Sequence, residues 1–135
     1  MSSVNEKRWV QRFANYEKAL STLTKIVKKE NKDELDKMAL IKAFEFTYEL
    51  GWKTLKDYLN EAGFIVASPK ETIRQAFQAQ YISDGEVWMD AIEKRNESSH
   101  AYEGEILDTT TDFIVNKFYH AAMKMYNDFN AKIEK

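Results

Sequence analysis

Four glycines and one proline in 135 residues leave this chain few places to turn. Average proteins hold about 12% of these two residues together, so a chain this poor in them is expected to run in long helices. Apolar spacing agrees. Trp9, Phe13, Tyr16, Leu20, Leu23 and Val27 recur at steps of three and four, one stripe of an amphipathic helix over residues 4–29. The polar stretch from Lys28 to Asp36 either connects two helices or simply joins them, with Asn31 or Asp33 as the next N-cap. From Leu35 to Ala62 two apolar stripes appear, one through Ile41, Phe44, Tyr48, Trp52, Leu55 and Leu59, the other through Ala39, Ala43, Phe46 and Leu50. A helix apolar on two flanks is expected at the centre of a bundle or at a subunit interface.

Gly63 suits a helix-terminating left-handed residue. Ser68-Pro69-Lys70-Glu71 is the strongest local signal: Ser as N-cap, Pro at the first helical position, Glu at N3 to close a capping box. The helix it opens is expected to run from Pro69 to about Gln80. Ser83-Asp84-Gly85 reads as a turn, Glu86 to about Ser99 as a fourth helix, and Gly104 as a break. Asp108 or Thr109 can cap a last helix carrying Phe113, Ile114, Phe118, Ala121, Met125 and Phe129. Phe64 to Ala67 is the longest segment that could be a strand. The expected fold is an all-α, antiparallel four-helix up-and-down bundle with an extra short helix, one domain over residues 1–135.

Composition narrows the function classes. With 44% apolar residues the chain is too apolar to be disordered, and at this length it can build a core without staples. It has no Cys, which excludes a disulfide scaffold, a thiolate metal site and a Cys nucleophile, and suits a cytoplasmic protein. No apolar run has the length of a signal peptide core or a membrane span. There is no Gly-rich phosphate loop, no His pair at i and i+4, and no GxSxG; neither cofactor nor metal is expected. The aromatic stripes, Trp52 and Trp88 included, are expected in the core rather than as base-stacking platforms, and His120 is expected to be a satisfied bundle residue.

The segment Glu93 to Tyr102, EKRNESSHAY, gathers Arg95, Asn96, His100 and Tyr102 where a helix runs out. Arg offers a fork of donors to a phosphate, His exchanges protons near neutral pH, and Asn can orient either partner. Arg95 and His100 are separated by about 140° on an ideal helix, so they converge only if the helix ends before His100 or a second subunit completes the site. Their commoner role is to complement a helix C-terminus, where the dipole favours cations. Charge works against RNA here: residues 1–30 carry a net +4, whereas residues 83–108 carry a net −6. A polyanion approaching Arg95 needs basic groups from the first helix or from another subunit.

Phe44–Phe64 (FEFTYELGWKTLKDYLNEAGF), Ser68–Phe77 (SPKETIRQAF) and Trp88–Tyr102 (WMDAIEKRNESSHAY) together resemble the nucleotidyltransferase substrate-binding protein family, part of the HEPN superfamily of helical domains. The resemblance implies an antiparallel four-helix bundle, a homodimer, and association with a separate minimal nucleotidyltransferase. In HEPN proteins Arg, four to six residues and then His marks a metal-independent endoribonuclease; Arg95 and His100 fit, and Asn96 stands at the usual polar position after the Arg. His100-Ala101-Tyr102 resembles the HxY extension of toxin members, in which the nucleotidyltransferase acts as antitoxin by attaching AMP to the Tyr. Carried over, His100 and Arg95 are the catalytic residues with Asn96, Tyr102 is the modification site, and RNA, tRNA among the candidates, is the substrate. The family's older description implies a different role, a non-catalytic substrate-binding subunit of a two-component nucleotidyltransferase. A helical dimer whose motif is a relic is the blandest reading.

Overall fold

The computed structural model describes residues 7–97 and 100–133. Among them the chain forms α1 (Arg8–Val27), α2 (Glu34–Glu61), α3 (Pro69–Gln78), α4 (Gly85–Asn96), α5 (Gly104–Phe113) and α6 (Tyr119–Ile133), with no strand; a π-helical stretch, Ile114–Phe118, joins α5 to α6 without a break.

Pairings along the helices give their directions. Lys7 meets Glu61 and Arg12 meets Asp57 at one end of the α1–α2 pair, and Lys29 meets Asp36 at the other, so these helices are antiparallel. The α5–α6 rod runs the same way as α2, with Asp108 on Lys37, Phe118 on Phe44 and Phe129 on Tyr58. It runs opposite to α1 and α4: Trp9 packs on Phe129, Tyr16 bonds to Ala122, Trp88 packs on Phe118, and Lys94 lies over Phe113. The result is the expected up-and-down bundle, with α3 as the extra short helix.

Local chemistry explains the ends. Asp33 caps α2 in a full capping box: its carboxylate accepts from the Asp36 N–H at 2.8 Å, and the Asp36 carboxylate accepts from the Asp33 N–H at 2.9 Å. Asn31, the other candidate cap, instead takes a left-handed turn at φ 56°. Gly63, at φ 103°, ends α2; its N–H donates to Asn60 and that of Phe64 to Leu59, a Schellman closure. Ser68 caps α3 by accepting from the Glu71 N–H, but the Glu71 carboxylate accepts from the Ala67 N–H rather than from Ser68, so the box closes one residue early. Residues 28–33 of the polar stretch connect α1 to α2, whose first turn takes up the rest, and Phe64 to Ala67 is loop.

Other boundaries differ from the sequence expectation. The α1 helix spans Arg8–Val27 rather than 4–29, with residues 1–6 outside the described set. The α3 helix ends at Gln78, with Gln80 left-handed at φ 67°. Gly104, expected to break the chain, opens α5 four residues before the expected cap. Leu107, Thr110 and Thr111 are buried there; Thr109 bonds back to the Glu105 and Ile106 carbonyls, and Asp108 goes to Lys37, so neither is left to cap.

The core is aromatic. Tyr16 is fully buried and donates to the Ala122 carbonyl at 2.7 Å; burial pushes its phenol far above the ordinary range. Trp88 and Trp52 lie in the core, as expected. Gly51 lets α2 approach both neighbours: a Cβ there would stand 2.8 Å from the Trp88 ring and 2.9 Å from that of Tyr16. This close contact sets α4, and with it the segment after α4, against α2.

Candidate functional site

The site is built on the C-terminus of α4. Lys94 and Arg95 occupy the last turn, where the helix dipole favours cations. Arg95 turns toward α2, its Nε 3.5 Å from Oε2 of Glu49, a separation that is ionic attraction more than a well-formed hydrogen bond. Glu49 is itself positioned: its Oε1 accepts from the Trp52 indole N–H at 3.2 Å and lies 3.9 Å from the Lys53 ammonium. The neighbouring Tyr48 phenol is pushed well above its usual range by burial and by the charge of Glu49, with Arg95 pulling the other way. Arg95 keeps 38% of its side chain exposed, although its Nε is buried.

Asn96 is the last residue of α4 and is exposed. The helix therefore ends before His100, one of the two conditions under which Arg95 and His100 can converge. It was expected to reach Ser99; instead Glu97 is the C-cap, and Ser98 and Ser99 lie outside the described residues. The His100 N–H donates to the Glu97 carbonyl at 2.9 Å, and the imidazole-bearing residue is exposed. Ala101 is buried and anchors the turn, while Tyr102 is half-buried, packed on the core. Ala101 is thus the buried residue between an exposed His100 and a half-buried Tyr102.

Arg95 and Asn96 thus end α4, and His100 and Tyr102 follow between α4 and α5, with Asn96 and His100 exposed and Arg95 and Tyr102 part-buried. Among those residues, no three His, Asp or Glu side chains are grouped as metal ligands would be. Of the basic residues on and beside α1, Lys7, Arg12 and Lys29 are paired with acids of α2. His120 is exposed on α6 instead of satisfied in the bundle, because the face it shares with Asn116 and Lys117 borders an open groove against α4. Sequence reasoning missed Glu49. Its only local sign was a Trp at i+3 and a Lys at i+4, and nothing in the spacing joins it to Arg95.

The family model described as "Nucleotidyltransferase substrate binding protein like" matches residues 11–131. A protein from Thermus thermophilus, known from its crystal structure, is similar at 29% identity with a TM-score of 0.73, over 82% of this chain and 94% of that one. The sequence matches no functionally curated protein. No helix among the described residues is long and apolar enough to cross a membrane.

Proposed function

This chain belongs to the nucleotidyltransferase substrate binding protein-like family, and from that premise we propose that it is a HEPN-type, toxin-like, metal-independent endoribonuclease of the cytoplasm, silenced by a minimal nucleotidyltransferase that adds AMP to Tyr102. The observation that carries the reading is the end of α4 at Asn96, before His100, which leaves Asn96 and His100 exposed and Arg95 and Tyr102 part-exposed in one short stretch of chain. A scaffold alone has no need of that combination.

In the proposed reaction a ribose 2′-oxygen attacks its own phosphorus and the P–O5′ bond breaks, leaving a 2′,3′-cyclic phosphate and a 5′-hydroxyl. The proton leaves the 2′-oxygen as that bond forms, and the departing 5′-oxygen gains one; His100 serves one of these transfers, with the His100 of a second copy available for the other. Arg95, steadied by Glu49, stabilises the charge that grows on the phosphorane, and Asn96 orients a phosphate oxygen. In the silencing step the Tyr102 oxygen bonds to the α-phosphorus of ATP and pyrophosphate leaves. The AMP group adds charge and bulk beside Arg95 and His100, which blocks RNA by repulsion and by volume.

Incubation with the minimal nucleotidyltransferase and ATP tests this directly. Peptide mass mapping is expected to find AMP on Tyr102, with RNA cleavage lost, while Tyr102→Phe stays unmodified and active. Equal modification of Tyr102→Phe places the acceptor elsewhere and defeats the silencing scheme.

The homodimer in this reading is supported by the second stripe of α2. Phe46 is 59% exposed and, with Ala43, Leu50 and Ala19, lines an apolar groove of about 550 Å³ between α1 and α2. Leu50 adjoins Glu49, so a second copy seated there lies close to Arg95. Phe46→Lys is expected to give a folded monomer by light scattering; a dimer unchanged in that variant means that the copies meet elsewhere.

The acidic surroundings of the turn favour a second reading, a non-catalytic subunit that binds substrate for the nucleotidyltransferase. It requires no RNA cleavage and little dependence of nucleotide transfer on His100.

A further inference from the structure

The two oxygens of Glu49 are divided between partners. Oε1 accepts from the Trp52 indole N–H at 3.2 Å and lies 3.9 Å from the Lys53 ammonium, while Oε2 lies 3.5 Å from Nε of Arg95. Trp52 belongs to the core, so the carboxylate is fastened on one side to a packed ring. Helix geometry explains how it meets a residue of another element. Trp88 and Arg95 are seven apart on α4, about two turns along one face. Trp88 is the ring that presses on Gly51 of α2, where a Cβ would stand 2.8 Å from it. Because α4 runs opposite to α2, the backbone of Arg95 stands about 10 Å nearer the α2 N-terminus than Gly51 does, past the level of Glu49. Helical side chains lean toward the N-terminus of their own helix. In an antiparallel pair Arg95 and Glu49 therefore lean toward each other, and the close Gly51–Trp88 contact brings the two helices near enough for them to meet.

We propose that Glu49 is a positioning residue, which holds the Nε edge of the Arg95 guanidinium against α2 and so aims its terminal Nη1–Nη2 edge at the phosphate. The proposal rests on the ribonuclease reading above. Three observations support it. Nε of Arg95 is buried on the side where Glu49 stands, so the guanidinium takes its orientation from the bundle. The carboxylate is oriented in turn by the Trp52 indole, the kind of supporting contact that a preorganised site needs. Both side chains of the pair are part-exposed, 38% for Arg95 and 35% for Glu49, a setting in which an ion pair adds little to stability, so its worth lies in orientation. Orientation matters because a guanidinium grips a phosphate through one edge of a planar fork.

A double-mutant cycle on RNA cleavage, read beside NMR of the RNA-free protein, tests the assignment. Glu49→Ala is expected to lower kcat about 10- to 100-fold, the cost of misplacing a catalytic group by about 1 Å. KM for RNA is expected to stay the same or fall, since a negative charge has gone, a split that a merely structural role does not produce. Glu49→Gln, which keeps an acceptor for Trp52 but loses the charge, is expected to fall between Glu49→Ala and the wild type. In an Arg95→Ala background, Glu49→Ala is expected to cost nothing further, because no guanidinium remains to be aimed. A further loss of the same size in that background, or a wild-type kcat for Glu49→Ala, overturns the assignment. The Arg95 Nε–H resonance is expected to shift in Glu49→Gln; a resonance that stays in place shows that the pair does not hold Arg95 and overturns it as well. Wild-type protein that leaves RNA intact refutes the ribonuclease reading and the positioning role with it, and the resonance distinguishes that failure from absence of the pair.

Discussion

His100→Ala is expected to slow RNA cleavage by about two to four orders of magnitude, the usual contribution of a positioned proton-transfer group. The fold should not change. His100 is exposed, and the bond that ties it to Glu97 comes from its backbone N–H, which alanine keeps. Surface substitutions of this kind shift stability by no more than about 0.5 kcal/mol. A matched melting temperature therefore separates lost chemistry from lost structure. Cleavage at the wild-type rate by a folded His100→Ala protein removes His100 from the reaction.

The second large effect lies far from the turn. Arg12 on α1 donates from Nε to Oδ2 of Asp57 on α2 at 3.0 Å, and the two partners are unequally exposed, 32% for the Arg12 side chain against 3% for Asp57. Arg12→Met leaves a buried carboxylate without its cation, which costs about 3–5 kcal/mol. In a domain of this size that corresponds to a fall in Tm of roughly 10–20 °C. Removing both charges is a different case, because two buried ions replaced by apolar groups of similar volume often leave stability unchanged or improved. The Arg12→Met, Asp57→Leu double variant is accordingly expected to melt well above Arg12→Met alone, as followed by circular dichroism. A single variant as stable as the wild type shows that solvent already serves Asp57.

The bundle was legible in the spacing of apolar residues and in a few terminal signals, because both are local. Trp9 to Leu23 formed one stripe whose members all reach the core, and the Ser68-Pro69 pair placed the start of α3. The π-helical stretch was not legible. Ile114, Phe118 and Ala122 follow at steps of four, which drift round an ideal α-helix by about 40° each; a wider turn resets the drift, yet the same spacing reads as ordinary helix in a sequence. Gly104 read as a break because Gly punctuates chains more often than it opens helices, and burial of Leu107 and Thr110 is a tertiary fact. The candidate turn itself was visible as a string, EKRNESSHAY. Its support was hidden: Glu49 lies on a different helix, and Gly51 matters only because two rings press on it.

The central claim is that this turn cleaves RNA without a metal ion, and it is tested most directly by labelled tRNA and total RNA incubated in EDTA with wild-type protein shown by intact mass to carry no AMP. The proposed chemistry requires fragments ending in 2′,3′-cyclic phosphate and 5′-hydroxyl. Intact RNA after incubation with an unmodified, folded dimer contradicts it, and leaves the substrate-binding subunit as the function of this chain.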